Sequence, residues 1–109
     1  MATTIVKQLI ESRIIGAGVL YQCPLLTVAS IQAAVLVNTT AGTVACEVYI
    51  TPASGTPAAD NTLVSVALAA GKPYLCPELI NQKISPGYEI HAAGTGVTIA
   101  IAGVEIIGQ

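Results

Sequence analysis

Charged side chains are scarce in this chain. They make up 9% of its 109 residues, against about 25% in an ordinary soluble domain. Apolar residues account for 53%, and since the chain has no tryptophan and no phenylalanine, they are mainly valine, isoleucine, leucine and alanine. Four basic and six acidic side chains cannot cover a small globular surface. The composition therefore predicts that much of the surface is buried against other subunits, because large exposed apolar patches promote association.

Clusters of positive charge and long apolar runs are also missing. The basic side chains are scattered along the chain, at Lys7, Arg13, Lys72 and Lys83. Nucleic-acid binding requires several phosphate-neutralising cations together, so we expect none. Even the longest apolar runs, such as residues 33–37, are far shorter than the roughly 18 residues of a membrane helix, so we expect no membrane partner. The opening MATTIVKQLIESR lacks the features of a secretory signal, which predicts synthesis in a cytoplasm.

Residues that carry catalysis or bind metal ions are few. The single histidine, His91, lies two positions after Glu89 on an outward-facing strand position. This pair is either a catalytic base or a solvated surface pair, and we favour the surface pair because a base needs a substrate within reach. Asp60 is the only aspartate, so no carboxylate cluster for calcium or magnesium is expected. We therefore expect no enzymatic activity, no cofactor and no metal site.

The pattern Tyr-x-Cys-Pro-x-Leu occurs twice, at residues 21–26 and 74–79. A zinc site is not expected from three dispersed cysteines and one histidine. The odd number of cysteines argues against a disulfide framework. Since proline cannot donate to a strand ladder, we interpret the two motifs as two strand ends, with internal duplication as the alternative. If both lie at one end of the fold, Cys23 and Cys76 are in contact, while Cys46 is expected in the core.

Alternating apolar and polar residues dominate the rest of the chain, and turn signals separate the runs. The pattern predicts an all-β fold, a single antiparallel β-sandwich of about seven or eight strands, either a jelly roll or another Greek key. Residues 77–84 could form a helical turn. Beyond Gly103 the apolar phase changes, which predicts a β-bulge at Ala102–Gly103. The predicted strands are 18–23, 28–38, 43–51, 62–69, 73–76, 87–93 and 96–107.

The N-terminal residues 1–17 differ from the sandwich domain expected over 18–109. They contain two of the four cations, and their β-prone part, residues 3–15, is followed by Gly16-Ala17-Gly18. We interpret them either as an ordinary first strand or as an arm that adds to the sheet edge of a neighbouring molecule.

A series of segments gives the chain a family resemblance. They are ATTIVKQLIESR, VLYQCP, VLVNTTAGTV, VYITPASG, AADNTLV, LAAGKPYLCPELI, SPGYEI and IAGVEI. Together they resemble small β-sandwich structural proteins of tailed-bacteriophage virions, of the capsid decoration or cement type. Related-looking sandwiches also occur in tail fibres and receptor-binding tips.

The resemblance implies a virion protein on the outer capsid surface, made in the cytoplasm of a bacterial host. Its partners would be the major capsid protein and further copies of itself, as a dimer or trimer. An N-terminal arm would be a natural capsid contact, which selects Ile5, Val6, Leu9, Ile10 and Arg13 as the candidate partner-binding residues. The alternative is a tail-fibre or tail-tip module that binds a receptor or glycan, with Tyr49 as the exposed aromatic residue.

Overall fold

The computed structural model of the chain, described for residues 3–16 and 18–108, contains two antiparallel sheets packed face to face. Nine strands form them: β1 (Thr3–Ile14), β2 (Tyr21–Gln22), β3 (Thr27–Asn38), β4 (Val44–Thr51), β5 (Thr62–Leu68), β6 (Pro73–Tyr74), β7 (Lys83–Ile84), β8 (Glu89–Ala93) and β9 (Val97–Ile107). Single 3-10 turns occupy Ala59–Asn61 and Pro77–Leu79. The predicted all-β sandwich is confirmed.

The larger sheet has the strand order β1-β9-β3-β6, and β7 also pairs with β3. The two-residue strands β6 and β7 lie on the same edge of β3, opposite its end and its beginning respectively. Strand β9 is central because it pairs with β1 on one side and with β3 on the other. Strand β1 is therefore the long edge strand of the five-stranded sheet.

The smaller sheet has the order β2-β8-β4-β5. Its edges are the short β2 and the seven-residue β5. The chain crosses from β5 to β6 in the other sheet, and the turn at Pro77–Leu79 then inserts Leu79, which is fully buried, into the core.

The core lies between the inward-facing rows of the two sheets. The five-stranded sheet supplies Ile31, Leu36, Ile99 and Ile101, and the four-stranded sheet supplies Val48, Val64 and Ile90, all at most 1% exposed. Burying each such aliphatic side chain contributes about 1.5–3 kcal/mol, which is the main reason why alternating sequences of this kind form a sandwich.

The predicted helical turn at residues 77–84 is only partly present. Pro77–Leu79 forms a single 3-10 turn, with proline in its first position. Lys83 and Ile84 instead pair with Ser30 and Ala29 as β7. The fully buried Ile84 explains the difference, because a strand pairing directs this side chain into the core.

The predicted change of phase in β9 is wrong. Buried and partly exposed residues alternate without interruption along β9, so Glu105 takes an inward position and Val104 an outward one. The register shifts lie in the partner strands instead: Leu9 is the extra residue in β1 and Gln32 the extra residue in β3. Gly103 lies at this point because a Cβ atom there would overlap the Ser30 carbonyl oxygen.

Candidate interaction surfaces

The five residues predicted to bind a partner all lie on β1, but they face different surroundings. Ile5 is 40% exposed, Val6 is 76% exposed and Arg13 is also exposed. Leu9 and Ile10 pack in the hydrophobic core, at 6% and 2% exposure. Ile5 and Arg13 lie on the face of β1 that pairs with the inward row of β9, and Val6 lies on the opposite face. These three accessible residues at the edge, Ile5, Val6 and Arg13, are what β1 offers to a partner, and we call them the β1 surface.

A bulge explains why the neighbouring residues Leu9 and Ile10 of β1 both turn inward. Gln8 pairs with Ala102 and Ile10 pairs with Ile101, so Leu9 has no partner of its own on β9. An extra residue of this kind places two consecutive side chains on one face of the strand. A second shift occurs between Ile10 and Arg13. Strict alternation in the sequence contains no signal for either bulge.

The outer edge of β1 is open among the residues that the structure describes, since β9 is its one strand partner there. The Ile15 amide donates to the Val97 carbonyl, so the backbone groups of Ile15 point toward β9. Successive residues of a strand direct their backbone groups to opposite sides. By this alternation and the register with β9, the N–H and C=O of Val6 point toward the open edge. A strand from another molecule can pair with these groups.

A buried polar cluster fastens β1 to both sheets. The Tyr21 hydroxyl of β2 donates a hydrogen bond to the Glu105 carboxylate of β9 across the sandwich. The other Glu105 oxygen lies 3.5 Å from the Lys7 ammonium of β1. Tyr21 and Glu105 are 9% and 5% exposed. Burial, together with the bond to Glu105, raises the pKa of the Tyr21 hydroxyl, so this hydroxyl stays protonated as a donor.

Apolar side chains are also exposed just before β3 and at its beginning. Leu25 and Leu26 are 78% and 73% exposed, and Val28 and Ile106 lie next to each other on the outer face at about 40%. Leu26 has φ = 60°, a left-handed conformation that costs an L-residue roughly 1–2 kcal/mol. The side chain of Leu26 adds little to the core, whereas its carbonyl accepts a hydrogen bond from the Gly108 amide at 2.8 Å.

The Glu89–His91 pair is buried, which corrects the expectation of a solvated surface pair. Both side chains face away from the core, as predicted, but they are only 6% and 8% exposed. His91 Nε2 lies 3.0 Å from one Glu89 oxygen, and the Ser54 amide donates to the other at 3.2 Å. The loop after β4 therefore covers this pair. The bonds to His91 and Ser54 lower the pKa of the Glu89 carboxyl.

Tyr49, the residue considered for glycan binding, lies opposite His91 on the outer face of the four-stranded sheet. Its ring is half-buried and its hydroxyl donates to the Glu47 carboxylate at 3.1 Å. Burial and this bond raise the pKa of the Tyr49 hydroxyl.

The three cysteines are buried as free thiols. Both motifs end strands as predicted, since β2 ends one residue before Cys23 and β6 ends two residues before Cys76. The expected contact between Cys23 and Cys76 is wrong: the Cys23 thiol donates to the Thr27 carbonyl, whereas Tyr74 pairs with Leu36, nine positions farther along β3. Cys46 is fully buried, as predicted for a core residue.

The environment of the thiols disfavours their ionised form. Burial is the main cause that raises the pKa of Cys23 and of Cys46, and it raises the pKa of Cys76 to about 12. Cys46 and Glu78 contribute to the shift of Cys76 by electrostatic repulsion of its thiolate.

Across residues 3–16 and 18–108, no three side chains of the metal-binding types come together. In the same ranges, no helix has the length and hydropathy required to cross a bilayer. Comparison of the chain with protein-family models and with curated proteins finds no match in either set.

Proposed function

We propose that this protein is a non-enzymatic structural subunit of a bacteriophage virion. In this proposal it is a capsid decoration or cement protein that binds the lattice of the major capsid protein on the outer surface and stabilises the head. It is made in the cytoplasm of the bacterial host and assembles in many copies. The resemblance noted in the sequence and the low proportion of charged residues support this role.

The observation that carries the proposal is the open edge of β1. This strand is 12 residues long, has unpaired backbone groups on one side in the described structure, and exposes Ile5 and Val6. Natural proteins rarely leave a long edge strand uncovered, because its free backbone groups can pair with other chains. A structural subunit with an extended contact surface accounts for this edge without an active site.

The proposed mechanism is strand addition combined with apolar burial. A segment of the capsid protein pairs with the backbone of β1 at Val6 and covers the apolar side chains of the β1 surface. Each contact is modest in area, and repetition over the capsid lattice multiplies the effective strength of attachment. The inward anchors Leu9 and Ile10 and the ion pair of Lys7 with Glu105 keep β1 in place while it binds.

Copy number and location provide the direct test. Quantitative mass spectrometry of purified virions, with a labelled antibody imaged by electron microscopy, is expected to find hundreds of copies spread over the head. A handful of copies at the tail tip would overturn the cement role and support the tail-fibre or tail-tip receptor-binding alternative. Absence from the virion would overturn both.

Point variants test the β1 surface better than truncation, because removing β1 would also remove Leu9 and Ile10 from the core. We expect Val6→Glu to abolish binding to assembled capsids, since a charge at the contact must be desolvated. The matched control is Leu75→Glu, because Leu75 lies outside β1 and is 71% exposed, close to the 76% of Val6. Equal capsid binding by both variants would show that β1 is not the contact.

A further inference from the structure

The two long edge strands that the structure describes, β1 and β5, differ in character. Strand β1 has three charged residues and two bulges, which are features that discourage pairing with another copy of the same edge. Strand β5, with the sequence TLVSVAL, contains no charged residue and no proline. Among the residues that the structure describes, β4 is the single strand partner of β5. Strand β5 is therefore the less protected edge.

The direction of the backbone groups of β5 follows from hydrogen bonds elsewhere in its sheet. The Cys23 amide donates to the Tyr88 carbonyl. The even-numbered residues of β8 therefore direct their backbone N–H and C=O groups toward β2, and the odd-numbered residues direct theirs toward β4. Through the registers of β8 with β4 and of β4 with β5, Val64 and Val66 bond toward β4. The N–H and C=O groups of Ser65 and Ala67 then point toward the open edge.

The side chains at this edge leave room for a close neighbour. Ser65 and Ala67 are exposed on the outer face, and both are small. Val66 faces the core, opposite Cys46, yet it is only partly buried because it lies at the rim of the sandwich. A strand added beside β5 would cover this rim.

We propose that a second copy of this chain pairs with β5 in antiparallel orientation about a two-fold axis at Ser65. The two four-stranded sheets then join into one continuous eight-stranded sheet. Pairing through β5 would provide the self-association that is part of the proposed function. It can be tested with the purified protein alone.

A second copy fits this edge because a two-fold interface must be complementary to itself. With Ser65 opposite the second copy's Ser65, all seven residues of β5 are paired. Val64 then lies beside the second copy's Val66, which places apolar side chains together at the rim. The lack of charge on β5 means that no like charges meet across the axis. The edge of β1, by contrast, contains three charged residues and two bulges.

The decisive variant is Ser65→Pro. Proline removes an N–H group that points away from β4, so the ladder between β4 and β5 is kept and the added strand is blocked. In sedimentation velocity and light scattering, we expect the unmodified chain to be a dimer and Ser65→Pro to be a monomer with an unchanged far-ultraviolet spectrum. The control Ser65→Thr is expected to stay dimeric. A monomeric unmodified chain, or a dimeric Ser65→Pro variant, would overturn the proposal.

A pair of charged variants tests the same axis without a change in the backbone. Ser65→Lys alone and Ser65→Glu alone place like charges opposite each other, and each is expected to be monomeric. Mixed in equal amounts they should form a heterodimer, which native mass spectrometry resolves. Failure of the mixture to associate would contradict the two-fold register. Capsid binding by the β1 surface is measured separately with Val6→Glu, so failure of either proposal is distinguishable from failure of the other.

Discussion

Glu105 is a charged side chain in a row that is otherwise hydrophobic, and its partners determine what its burial costs. Replacing Tyr21 by phenylalanine removes the hydroxyl donor and leaves a buried carboxylate oxygen without it. We expect Tyr21→Phe to lower the free energy of unfolding by about 1–3 kcal/mol in urea titrations. Tyr49→Phe is the control, because the Glu47 it bonds lies on the outer face and can bind water instead. Equal losses for the two variants would contradict this role for Glu105.

The thiols show how burial controls reactivity at single residues. A rise in pKa from 9.0 to about 12 lowers the thiolate fraction of Cys76 about a thousandfold, and the thiolate is the reactive form. At pH 8 we expect the native protein to react with a disulfide reagent far more slowly than the urea-unfolded chain. Thr43→Cys, in an exposed turn, supplies a fast reference. Rapid labelling of Cys23, Cys46 or Cys76 in the native protein would show that its sulfur is accessible.

Glu89 links stability to pH. Its pKa is lower in the folded protein than in the unfolded chain, so its ionised form stabilises the fold above the unfolded pKa of about 4.3. This contribution is lost as the pH falls through the lower, folded pKa. We expect Glu89→Gln to be less stable at pH 7 and to lose less stability than the unmodified protein between pH 5 and pH 3. Parallel stability curves from thermal unfolding would contradict the assignment.

Among the elements, β9 depends on close approach of its neighbours. A side chain at Gly103 would meet the Ser30 carbonyl oxygen and the Leu9 side chain. We expect Gly103→Ala to destabilise the fold by about 1–3 kcal/mol in urea titrations, as overpacking does. Gly42→Ala is the matched control, since no atom lies within 4 Å of a Cβ at that position. A neutral Gly103→Ala would show that β3 can move away without cost.

The elements also show how far the sequence determines the structure. Strand β3 was predicted at 28–38 and occupies Thr27–Asn38. Strict alternation does not hold along it, because beyond the extra residue Gln32 the inward positions change from odd to even numbers, so that Ala34 and Leu36 are buried. The phase of β9 was missed because Val104 and Ile106 are more apolar than the inward Glu105, whose partners come from β1 and β2. The bulge at Leu9 was missed because alternation within β1 contains no signal for it. Distant contacts, which single-strand periodicity does not contain, decide these details.

Burial of the Glu89–His91 pair illustrates the same limit in the candidate site. The alternation correctly predicted that both side chains face away from the core. It could not predict that the loop after β4 folds back so that the Ser54 amide reaches Glu89, 35 residues later in the chain. Exposure depends on which loop covers a face, whereas direction depends only on the strand itself.

At the scale of the whole molecule, the proposed contacts lie on opposite sheets. The β1 surface belongs to the edge of the five-stranded sheet, and the self-pairing edge β5 belongs to the four-stranded sheet. A dimer formed through β5 therefore leaves both copies of β1 free. We expect the dimer to bind capsids more tightly than the Ser65→Pro monomer, because two sites act together, and surface plasmon resonance on immobilised capsids would measure the difference. Equal affinity would mean that one β1 surface at a time is engaged.

The antiparallel pairing of β1 with β9 also determines how the molecule responds to tension. Thr3 lies opposite Ile107, so the first and last described strands meet at one end of a body 49 Å long. A pull between these two residues loads the hydrogen bonds one after another, as in a zipper, and peels β1 away at low force. A pull applied across the length of β1 loads many of these bonds at once in shear. The molecule therefore resists stretching best when it is held along its strands and not by its two ends.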